Sequence, residues 1–125
     1  MADTAKNRKK AAEIKPTEDG IDWAKHEARF QLAIDTHKKN GIHTEIFVCE
    51  SGEACLVRKP TAKVSAMAIP LIYKDDYLGA GKLLIEECWI AGDDEIKKNE
   101  DLEAEVALAI AQSMNIKIAS QKKNY

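Results

Sequence analysis

The sequence is short of the residues that announce chemistry. Its three cysteines, Cys49, Cys55 and Cys88, form no C-x-x-C pair and are odd in number. That argues against a disulfide framework and for a reducing, cytosolic setting. Its glycines make neither a Walker A loop nor a dinucleotide fingerprint: "GAGKLL" at 79–84 has a Gly-Lys step but no glycine five positions before Gly81. No apolar run approaches the roughly 20 residues of a membrane-spanning helix, and the opening "MADTAKNRKKAAEIKPTEDG" has no apolar core of a secretory signal. Neither sign of charge dominates. With a net charge of -2, a broad phosphate-neutralising surface is not indicated, so nucleic acid is not an expected partner.

What is present reads as one folded domain with a charged leader. Residues 1–20 carry Lys6, Arg8, Lys9, Lys10 and Lys15 with few large apolar side chains, and read as a flexible basic arm. From Ile21 helical spacing begins: Trp23, Phe30, Ile34 and His37 fall on one side, with Ala24, Ala28 and Leu32 expected beside them. Asp22 is the expected N-cap, and Asn40-Gly41 the expected stop.

Two β-rich runs, 42–49 and 54–58, flank Glu50-Ser51-Gly52-Glu53, which predicts a β-hairpin. A hairpin of this kind must be covered by helices or paired with another copy. Thr61 caps the next helical pattern, in which Pro70 predicts a kink or a split into two short helices. A further helix is expected from Asp75 or Asp76 through Trp89, with Gly92 as its stop and Lys82, Glu86 and Glu87 facing water. Gly79 and Gly81 within it allow another backbone to come close.

The last helix starts near Asn99, its first turn enriched in acid, and Leu102, Val106, Ile110 and Met114 make its apolar stripe. "IKIAS" at 116–120 reads as a short strand or a fraying turn, and 121–125 as a polar tail. The fold class is therefore α+β: a mainly helical single domain over 21–120, with a β-hairpin after the first helix.

Candidate chemistry is thin. A Cys-His pair needs a thiolate held beside a base; His26, His37 and His43 supply bases, but no motif pairs one with a cysteine. Cys49 and Cys55, six apart across a hairpin, do not have zinc-ligand spacing. "GDDEIKKNEDLE" lacks the alternating oxygens of a calcium loop and reads as a turn followed by an acidic helix start. No metal, cofactor or catalytic residue is expected. The stretch Leu84 to Ile96, "LIEECWIAGDDEI", reads as the buried end of a helix, with Ile90 beside Trp89 widening its apolar patch.

The order of parts resembles the small tail assembly chaperones of tailed bacteriophages and prophages. The resemblance rests on Arg58, Pro60 and Thr61, at the step from hairpin to helix, and on Leu84, Ile85, Cys88, Trp89 and Ile90. It covers roughly residues 42–118 as a pattern. It implies a non-catalytic, cytoplasmic protein that keeps a long helical tape measure protein soluble during tail assembly, with some tendency to self-associate. Met67, Leu71, Tyr73, Tyr77, Trp89 and Ile90 are the expected contact residues. The alternatives are a small virion or mobile-element interaction protein and a cysteine-dependent enzyme built on Cys88.

Overall fold

A computed structural model describes the backbone of residues 20–123 and the side chains of 20–113. The basic arm expected at the start therefore lies outside the described residues, apart from Gly20. The described chain is α+β, with a hairpin after its first helix. Helix α1 spans Trp23–Lys39, strand β1 Thr44–Val48 and β2 Ala54–Arg58. Helix α2 follows at Ala62–Tyr73 and α3 at Tyr77–Cys88. Strand β3 is Trp89–Gly92, the short helix α4 Glu95–Lys98, and α5 Glu100–Lys123.

The expected caps form. Asp22 accepts from the Lys25 N–H at 3.2 Å, Thr61 from the Val64 N–H at 3.2 Å, and Asp76 from the Gly79 N–H at 2.9 Å. Each satisfies one of the donors orphaned at a helix start. Asn99 caps α5, accepting from the Asp101 and Leu102 N–H groups. At the end of α1 the chain turns through Gly41, whose φ is +74°, a left-handed conformation natural to glycine.

Four local expectations are corrected. The first concerns the third helix, which stops at Cys88. Residues 89–92 are strand β3, paired antiparallel with β2. The hairpin is thus completed within the chain as a three-stranded sheet, order β1-β2-β3. The second concerns Pro70, which lies inside α2 without splitting it. It stands in the last turn, and the carbonyl deprived of its donor belongs to Ala66, itself exposed to water. The third concerns residues 116–120, which continue α5 as helix. The fourth concerns Ala24, Ala28 and Leu32, which face solvent, Leu32 at 81% exposure. At about 100° per residue, steps of four drift round the helix and leave Leu32 opposite Trp23.

The sheet has two covered faces. Phe47, Cys49, Cys55, Val57 and Trp89 pack into the main core with α2, α3, α4 and α5. Ile46, Val48, Ala54, Leu56, Ile90 and Ala91 pack beneath α1, around Phe30. Strand β2 is central, and Ala54 to Val57 are buried in an unbroken run, as expected of a strand covered on both sides. The register between β2 and β3 slips at Leu56/Val57, so that Ala91 faces Leu56 and Trp89 faces Val57, with Ile90 left over. This bulge puts Ile90 and Ala91 on the α1 side together. Trp89 and Ile90 therefore serve opposite faces rather than one widened patch.

Candidate functional site

The sequence patterns leave one helix chemically unusual. Of the twelve residues of α2, "AKVSAMAIPLIY", only Lys63 is charged. Its inner face, Val64, Ala68 and Ile72, is buried in the main core. Its outer face consists of Ala62, Ala66, Met67, Pro70 and Tyr73, all exposed, with Lys63 as the charged member. Met67 is 47% and Tyr73 56% exposed. A surface helix normally presents charge to water opposite its apolar stripe. Here both sides are apolar and one of them is open, the usual mark of a contact surface.

The six expected contact residues do not form one patch. Met67 and Tyr73 stand on the open face of α2. Leu71 and Tyr77 are half-buried and pack against the main core. Trp89 is half-buried there too, with the Lys97 ammonium 4.3 Å from its ring centroid, a cation–π contact. Ile90 lies across the sheet, under α1. Ala62, Ala66 and Pro70 complete the open face and were not among the expected residues. Their signal was legible in the sequence as a helical segment with a single charge.

The thiols are placed for packing. Cys49, Cys55 and Cys88 are free and 0–3% exposed. Burial raises all three pKa values. Cys49 is pushed up to about 11, with nearby Glu105 and Glu53 adding to the effect of burial. Cys55 is pushed up to about 12, chiefly by burial and secondarily by Cys49. Cys88 is raised, again mainly by burial. A nucleophilic cysteine requires the opposite displacement, toward the thiolate. Among the described residues no three His, Cys, Asp or Glu side chains converge to hold a metal ion. No helix among them is long and apolar enough to cross a membrane.

One polar device went unread in the sequence. Arg29 of α1 forks onto Asp93, just after β3: Nη1 donates to Oδ2 at 3.1 Å and Nη2 to Oδ1 at 2.9 Å. Asp93 Oδ2 also accepts from the Ala54 N–H at 2.9 Å, while the Asp93 N–H donates to the Ala54 carbonyl at 2.9 Å. The Arg29 guanidinium, then the Ala54 N–H, hold the Asp93 carboxyl below its ordinary pKa. Asp93 thus ties α1 to the sheet; in the sequence it read as part of an acidic turn, since a partner 64 residues away leaves no local trace.

In comparisons with known proteins, the chain matches no family model, no curated protein and no solved structure.

Proposed function

We propose that this chain is a non-catalytic binding module that acts as a tail assembly chaperone, holding a long helical tape measure protein soluble in the cytoplasm. The observation that carries the reading is the open apolar face of α2, centred on Met67 and Tyr73. A helix of the partner with an apolar stripe would lie along it, burying Met67, Pro70 and Tyr73, with Lys63 at the margin. The buried, high-pKa thiols favour this over chemistry at Cys88. The likeness of Arg58-x-Pro60-Thr61 and Leu84-Ile85-x-x-Cys88-Trp89-Ile90 to the phage chaperones is the ground for proposing a tape measure protein as the partner.

The test is co-expression with the long helical protein encoded nearest this gene, followed by pull-down and mass measurement. A soluble complex carrying many copies per long chain is expected. Met67→Glu should lose the complex while keeping the melting temperature of the free protein, because Met67 is already half exposed. If the long protein stays insoluble, or is captured equally by Met67→Glu, the α2 reading fails.

A further inference from the structure

A second surface, unrelated to the chaperone reading, lies at the foot of α1. The chain enters the described structure through Gly20 and Asp22, which form one wall of a cleft of about 460 Å³. His26 of α1, Cys49 and Glu50 of the hairpin turn, and Glu105 of α5 line the rest. Glu105 Oε2 accepts from the Glu50 N–H at 2.6 Å, which fixes both residues at the rim. Among the described residues the Glu50 carboxylate has no ionic partner. With Asp22 the cleft holds three carboxylates against Lys25.

His26 supplies an independent sign that something completes this wall. It is 8% exposed, and its Nδ1 is buried with no hydrogen-bond partner. Buried polar atoms left in that state are few in folded proteins. An imidazole nitrogen donates or accepts according to its tautomer, whereas Lys and Arg bring only donors.

We infer that the basic head of this same chain, Lys6, Arg8, Lys9 and Lys10, docks back onto the acidic cleft formed by Asp22, Glu50 and Glu105 beside His26. Charge complementarity and chain length both favour this occupant. The head carries four positive residues against Asp3, whereas residues 11–19 carry Glu13, Glu18 and Asp19 against Lys15. The cationic ligand is therefore the head and not the segment nearest the cleft. Lys10 stands ten residues before Gly20, itself part of the wall, and ten residues reach at most about 33–36 Å. Closing a loop of that size costs little more than closing a shorter one, and a short tether gives an effective concentration in the millimolar range. Exposed ion pairs that would be negligible between separate molecules are thereby held within one.

Zero-length carbodiimide coupling of the full chain tests this, with unlabelled and nitrogen-15-labelled protein mixed in equal amounts. The expected result is amide bonds from Lys6, Lys9 or Lys10 to Glu50, Glu105 or Asp22, within single chains. They should fade in about 0.5 M salt, where screening acts over less than about 5 Å, and fall several-fold in Glu50→Gln/Glu105→Gln. Glutamine at 105 can still accept the Glu50 N–H, so the rim is kept. Replacing Lys6, Arg8, Lys9 and Lys10 together by Ser should shift the amide resonances of Glu50, Gly52 and His26 and leave those of α3 in place. Coupling spread evenly over Glu86, Glu87 and Glu100, bonds joining labelled to unlabelled chains, or resonances indifferent to the Ser variant would each overturn the inference.

Discussion

On one face of the sheet, α3 and α5 meet so closely that a Cβ at Gly81 would lie 2.0 Å from the Ala107 carbonyl oxygen. On the other face stands one helix, α1, whose buried side chains are His26 and Phe30. The first face is held by shape, with backbone against backbone and Leu84, Ile85, Val106 and Ala107 interleaved. The second is held by one aromatic anchor and by the Arg29–Asp93 fork at its rim. Both partners of that fork are more than a third exposed, so it contributes about 1 kcal/mol or less. The difference implies two levels of stability within one domain: α1 should open locally before the main core does.

The largest effect is expected at Gly81. Any side chain there must push α5 away, and backbone has no rotamer to yield. Gly81→Val should cost about 3 kcal/mol or more in urea denaturation. A loss below about 1 kcal/mol would mean that the helices are not in such close contact. A comparable glycine contact occurs at Gly92, where φ is +151° and a Cβ would lie 2.6 Å from the Cys55 Cα. Next come two truncations that set the faces against each other. Leu84→Ala should cost about 3 kcal/mol and speed alkylation of all three buried thiols, because it loosens the cluster containing them. Phe30→Ala should cost about 2–3 kcal/mol, limited by the free energy with which α1 opens by itself. In that variant amide exchange along α1 should rise while Cys55 and Cys88 stay protected. Equal acceleration of α1 exchange and thiol alkylation in both variants would show one cooperative unit and erase the distinction.

The main-core side was the more legible of the two in sequence. Val64 and Ala68 read as one face of α2, although Met67, expected beside them, is exposed and Ile72 is buried in its stead; Val106 and Ile110 repeat at a step of four. Asp22, Thr61, Asp76 and Asn99 are side chains that cap helices wherever the following pattern is helical, so all four starts were readable. The end of α3 was not. "CWIAG" carries apolar residues straight on from the helix, and periodicity alone does not separate a buried helical turn from a short central-facing strand. What makes it a strand is β2, whose second edge needs a partner; that is a tertiary fact about residues more than 30 positions away. The bulge at Ile90 then divides Trp89 from Ile90, which dissolves the single patch that adjacency suggested. The open face of α2 was half legible. Met67 and Tyr73 were named from their type, while the exposure that distinguishes them from Leu71 depends on where α3 lies.

The smallest predicted effect is also the most diagnostic of how α1 is held. Asp93→Asn keeps an oxygen to accept the Ala54 N–H and removes the charge facing Arg29. Its cost at pH 7 should be about 1 kcal/mol or less. The carboxyl has a depressed folded pKa, so its contribution is present above the unfolded value of about 3.9 and fades as pH falls through the lower folded value. Arg29 is raised above its ordinary value, chiefly by its hydrogen bond to Asp93, and stays charged throughout. The stability gap between wild type and Asp93→Asn should therefore be constant from about pH 5 to 7 and close as pH falls below about 3.9 and through the lower folded value. If the gap persists unchanged in acid, the clamp acts through packing and not through charge. In that case α1 is held by packing around Phe30 and not by the ion pair, and Arg29→Met, which keeps the aliphatic stem but not the fork, should then match wild type in α1 amide exchange.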